Sequence, residues 1–121
     1  MSETETYRPG KHGPVRLSSK TAAPAVERES FFFIDDQEYV IIKNPSPAMG
    51  LRFLELVRTR GEAVAQAEVF DMLVGRADYP ERPGSLRALS KLDGITEGEV
   101  SALIGVVGDK LMAVASKISG N

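Results

Sequence analysis

The chain has 121 residues, 15 basic and 17 acidic side chains for a formal net charge of -2, and neither cysteine nor tryptophan. That length fits one modest domain, and 42% hydrophobic with 26% charged residues is the composition of an ordinary globular protein. Disulfides and thiolate metal sites are excluded, no apolar run approaches the roughly 20 residues of a membrane helix, and the slightly acidic balance lacks the basic excess on which nucleic-acid binding rests.

Residues 1–29 contain Pro9, Pro14 and Pro24, charges of both signs and only isolated apolar residues. Such a segment buries too little surface to offset the entropy of ordering it. It is expected to be a flexible, disordered tail, its ends roughly 30 Å apart, leaving 30–119 as one small domain. It lacks the apolar centre of a secretory signal, which accords, like the missing cysteine, with a cytoplasmic protein. Its basic residues Arg8, Lys11, Arg16, Lys20 and Arg28 are offset by Glu3, Glu5, Glu27 and Glu29, unlike a one-sided nucleic-acid arm. His12, the single histidine, reads as solvated.

In FFFIDDQEYVII, residues 31–42, two apolar runs flank a polar turn of Asp35, Asp36 and Gln37. This predicts a β-hairpin, with Asp suited to the turn. Strict alternation would send Phe31 and Phe33 to one face and Phe32 and Ile34 to the other, so both faces need cover. An isolated hairpin is marginal in water and presents unpaired edges.

Ser46 then Pro47 reads as an N-cap and first-turn proline. A helix is expected from about Pro47 to Arg60, with Met49, Phe53, Leu54, Leu56 and Val57 as its stripe and Gly61 as its C-cap. A second helix, about Glu62 to Val74, carries Val64, Ala67, Phe70, Met72 and Leu73 and stops at Gly75. The short joint implies a tight corner. RADYPERPG, residues 76–84, is a loop, after which Ser85 is positioned to cap a short helix holding Leu86, Leu89 and Leu92. Thr96 and Glu99 form a capping-box pattern opening a last helix that reaches about Ile118. The fold class is therefore mainly α with a small β-hairpin (α+β): a tail, one hairpin and about four helices.

No constellation supports an enzyme, a cofactor or a metal. Asp35 and Asp36 suit a turn better than acid–base work, because neighbouring strand residues point apart. Gly105 and Gly108 in IGVVGDK lack the context of a phosphate loop. As interior helix glycines they cost about 1 kcal/mol each against alanine, which raises the idea that another helix approaches closely there.

In the last helix Val100, Ile104, Val107, Leu111, Val114 and Ile118 follow a 4-3-4-3-4 spacing, a heptad seam. Ala102, Leu103, Val106, Met112, Ala113 and Ala115 make the rest of it apolar as well, so it must be buried on most sides. Either the earlier helices enclose it or part of it meets another protein. Six such side chains carry on the order of 10 kcal/mol of gross burial energy, heavily reduced by ordering costs. Strand addition and helix-in-groove docking suit these elements. The candidate partner-binding residues are Phe31, Phe33, Tyr39 and Ile41 on the hairpin with Val100, Ile104, Val107, Leu111, Val114 and Ile118 on the helix.

The order FFFIDDQEYVII, then P-x-P opening LRFLELVRTRGE, then VFDMLVG and LRALSKLDGITEGEVSALIGVV resembles the tail assembly chaperones of long-tailed phages, most nearly those of phages of actinobacteria. The resemblance spans roughly residues 31–118 and is one of order and patterning. It departs from that family in having no glycine in the hairpin turn and Gly98 where a second acidic residue is common.

The resemblance implies a non-enzymatic protein of the infected host cytoplasm, absent from the mature virion. It would bind the tape measure protein and keep it soluble while tail-tube subunits polymerise. It further implies a longer form, made by ribosomal frameshifting, that recruits tail-tube subunits, while self-association into an open array is a separate expectation. Two other readings compete: a head–tail joining or tail-completion protein of the virion, and a small nucleic-acid-binding regulator using the tail with Arg52, Arg58 and Arg60.

Overall fold

The structure, a computed structural model, describes residues 14–118. Residues 1–13 of the expected tail, His12 among them, and the last residues 119–121 lie outside the described residues. Residues 14–27 carry no strand or helix and their side chains are exposed. The elements that follow are β1 (Arg28–Ile34), β2 (Gln37–Ile42), α1 (Pro47–Arg60), α2 (Glu62–Leu73), β3 (Val74–Arg76), α3 (Ser85–Ser90) and α4 (Glu97–Ile118). The α+β class and the hairpin-then-helices order agree with the sequence.

The hairpin turn is tighter than expected. Gln37 pairs with Ile34, so Asp35 and Asp36 alone make the turn. Asp35 sits at φ 53, a left-handed conformation that Asp tolerates better than most residues. The pairing also slips between Ser30 and Phe32, which places a bulge at Phe31. That bulge overturns the simple alternation of the three phenylalanines, because one extra residue re-aims the side chains beside it. Phe31 and Phe32 both pack against the core, edge to face at 5.2 Å, and Phe32 stacks on Tyr39 at 4.8 Å. Phe33 is left 61% exposed.

The sheet has a third strand that periodicity did not reveal. Val74 is not the last turn of α2. It begins β3, whose three residues pair antiparallel with Tyr39, Val40 and Ile41 and make β2 the central strand. Among the described strands, β1 keeps one unpaired edge. β3 also answers what covers the second face of the hairpin. A Cβ on Gly75 would lie 2.1 Å from the Pro80 carbonyl oxygen, so the loop after β3 rests directly on the backbone there. Glu81 of the same loop reaches Arg28 on β1 at 3.8 Å. Between those two anchors the loop crosses the outer face, over Val40 and the buried Ile42.

α1 and α2 match their expected spans. Ser46 accepts a hydrogen bond from the Met49 N–H at 3.3 Å, and Gly61, at φ 90, donates its N–H to Val57 and turns the chain into α2. The face of α2 that reaches deepest carries Ala65 and Val69, with Phe70 and Leu73 beside them. Together with Ile41 and Val74 these residues hold the centre of the core.

The start of α3 differs from expectation. Gly84 precedes the helix, and Ser85 is its first residue. The buried Ser85 hydroxyl donates to the Val74 carbonyl at 2.9 Å, while the carboxylate of Asp71 accepts the Leu86 N–H at 3.0 Å. A side chain from α2 thus does the capping, and the serine instead satisfies the carbonyl where α2 gives way to β3.

Candidate functional site

α4 is fixed at three places along its length. At its start the Thr96 hydroxyl accepts the Glu99 N–H at 3.1 Å and Glu99 accepts the Thr96 N–H at 2.9 Å, a complete capping box. The hydrogen bond from the Thr96 backbone, helped by the Thr96 hydroxyl, holds the Glu99 carboxyl below its ordinary range. In mid-helix the Lys110 ammonium donates to the Lys43 carbonyl at 2.8 Å and pairs with Glu29 at 3.1 Å, tying the helix to the ends of β1 and β2. Near its end it meets α1 at Gly50, where an added Cβ would lie 2.8 Å from Val114 Cγ1.

The close helix crossing is therefore at Gly50 and not at Gly105 or Gly108. A Cβ at either of those glycines would meet nothing within 4 Å among the described residues.

Held this way, α4 buries one side of its seam and opens the other. Tyr39, Ile41, Val107, Leu111 and Val114 are buried in the chain's own interior. The expectation that they face a partner is corrected: the sheet and α2 enclose them. Phe31 is half-buried against the same core. Val100, Ile104 and Ile118, at the ends of the seam, stay partly exposed, as does Phe33. Phe33 belongs to the hairpin and lines none of the surface described next.

Between α4 and the α1–α2 pair lies an apolar groove of about 660 Å³. α1 contributes Phe53 and Leu54, α2 contributes Ala63, Ala67 and Phe70, and α4 contributes Ile104, Gly108, Met112 and Ala115, with Val107 and Leu111 as the floor. The groove is open because small residues face each other across it: alanines on α2, glycine and alanine on α4. Large side chains at those positions would have closed the gap from within. Leu54 is 52%, Ile104 44% and Met112 66% exposed.

A second cavity of about 190 Å³, reaching Leu89, Ile95 and Val100, shares Phe70, Leu86 and Ile104 with the first and extends the groove toward α3. Of the described residues lining both cavities, Glu62 is the one with an ionisable side chain, at the wall's α2 end. Such a surface offers apolar contact and one carboxylate.

Among the described residues no cluster of histidine and carboxylate groups could hold a metal, and no helix is long and apolar enough to cross a membrane. Of the arginines considered for nucleic acid, Arg58 is held bidentately by Glu55. Sequence reasoning missed the walls of the groove. Leu54 counted as one more stripe residue of α1, and Ala63 carried no signal, although the density of alanine in EAVAQAEVF was visible. No protein-family model, curated protein or solved structure matches this chain.

Proposed function

We propose that this protein is a tail assembly chaperone of a long-tailed phage, which binds an apolar helical segment of the tape measure protein in the groove along α4. The observation that carries the reading is the groove itself. It is apolar, it is flanked by exposed Leu54, Ile104 and Met112, and the chain provides nothing among its described residues to fill it. Exposed apolar area of this kind on a small protein marks an interaction site, and helix-in-groove docking suits its shape. The patterned resemblance over residues 31–118 supplies the identity of the client.

A chaperone acting this way shields client helices that would otherwise associate with one another. It releases them when tube subunits compete for the same apolar faces. Its contribution is occupancy of a surface, with no bond made or broken.

The test is co-expression with a tape measure protein, followed by recovery of the soluble complex. The wild type should keep the client soluble, and Met112→Glu or Leu54→Glu, both at exposed positions, should retain helical circular dichroism while losing it. A client left insoluble and unbound by the wild type would refute the reading, and recovery of the protein from purified virions would favour a structural component of the particle instead.

A further inference from the structure

The length and charge of the groove say more about its occupant. From Val100 to Ile118 the lining follows α4 for 18 residues, or about 27 Å at the helical rise. That is the span of a single helix of about five turns.

The two ends differ. The α3 end is lined by Leu86, Leu89 and Ile95 and carries no charged group among its described residues. The opposite end has the exposed carboxylate of Glu62 on the α2 wall, within 3.4 Å of Gln66 Nε2. A neutral amide is its one printed side-chain partner, so the charge is not neutralised by a cation of the same chain. A carboxylate at one end of an apolar trough favours a cation there and gives nothing to a cation elsewhere.

Resting on the proposed docking of a helix, we infer that the groove takes one amphipathic helix of about 18 residues bearing a lysine or arginine at one end. Glu62 sets which way round it lies: the basic end sits against Glu62 and the uncharged end against α3. Glu62 thereby converts an apolar surface, which would accept a helix in either direction, into one that reads polarity. The exposed charge contributes orientation more than affinity, a preference of about threefold, as expected for a pair in water.

The probes are synthetic 18-residue amphipathic helices with blocked termini and one apolar stripe, a lysine pair in the first turn, in the last turn, or replaced by glutamine. Each carries a spin label at one end, and line broadening of the amides of Val100 and Ala115 reports where that end lies. With wild-type protein the lysine end should broaden Ala115 for both charged peptides, which therefore lie in opposite directions, and the glutamine peptide should broaden both sites. Glu62→Gln should randomise the charged peptides, and Glu62→Lys should send the lysine end to Val100.

Tight binding with an orientation indifferent to Glu62 overturns this inference and leaves the docking reading standing. Failure of every peptide to bind, or binding untouched by Met112→Glu, overturns both. A concentration-dependent dimer of the protein that Met112→Glu dissolves would assign the groove to a second copy and overturn the inference as well.

Discussion

Two surfaces of this chain carry more apolar area than a hairpin and a terminal helix can hide, and they end differently. The outer face of the sheet is closed by the chain itself: Pro80 rests on Gly75, and Glu81 ties the loop to Arg28. The groove along α4 receives no such strap among the described residues. The difference lies in the segments that follow each surface. After β3 comes a loop with two prolines, which fix its path at low entropic cost, and a glycine beneath it permits backbone contact. Around α4 the facing side chains are alanine and glycine, which recede from the gap. Surplus apolar surface becomes an interface only where the fold does not spend its own chain on covering it.

The largest contrast should appear between Leu73, 1% exposed at the centre of the closed region, and Met112 beside the open one. Leu73→Ala is expected to cost about 2–5 kcal/mol of unfolding free energy in urea titrations. Met112→Ala, an exposed truncation, should stay within about 0.5 kcal/mol. Equal losses would mean that Met112 is core and that the groove is closed in solution.

Next in size is Gly75→Ala, which asks whether the loop truly seals the outer face. The new methyl would need the space of the Pro80 carbonyl, a backbone group that cannot swing aside, so the loop must lift. A cost of about 1–3 kcal/mol is expected. Fluorescence of an apolar dye should rise as Val40 and Ile42 are uncovered. A variant of native stability and dye response would show that the loop does not bear on the sheet.

A smaller effect, of the opposite sign, separates the glycines of α4 from that of α1. Gly105→Ala meets open space, so the gain in helix propensity should appear undiminished, at about 0.5–1 kcal/mol of added stability. The same change at Gly50 drives a methyl against the buried, β-branched Val114 and against Ile118, and should destabilise. Thermal midpoints of the two variants should therefore move in opposite directions.

Much of this architecture was legible in the sequence where a local signal sufficed. Ser46-Pro47, Gly61 and the Thr96–Glu99 box set helix ends through contacts within three or four residues, and those ends lie where they were expected. What failed was long-range. β3 is three residues long and exists because β2 offers an edge, which no periodicity of VGR announces. Ser85 had the chemistry of a cap, but Asp71, fifteen residues earlier, took that position. The heptad seam was real as a pattern. Its middle turned out to be core and its ends rim, because spacing fixes which residues share a face and says nothing of what lies opposite.

The smallest effect bears on how firmly the open region is framed. In the folded chain Glu99 is held below its ordinary range, chiefly by the Thr96 backbone N–H, so the folded state binds fewer protons there than the unfolded one. By linkage its contribution is fully present above the unfolded glutamate range and is lost as pH falls through the lower, folded value. Asp78 is held down in the same direction by its hydrogen bond to Arg76, so an acid titration of the wild type alone would mix the two. Subtracting the thermal midpoint of Glu99→Gln isolates the cap: the wild type should lead at neutral pH, and the gap should close in acid. Amide exchange at Val100 and Ser101 should quicken over the same window, because the box holds the first turn of α4. Val100 lines the α3 end of the groove, so fraying there would shorten the frame on that side while leaving the Gly50 crossing intact. A gap independent of pH would mean that the carboxylate contributes packing without charge, and that the groove's end is held by α3 and not by the cap.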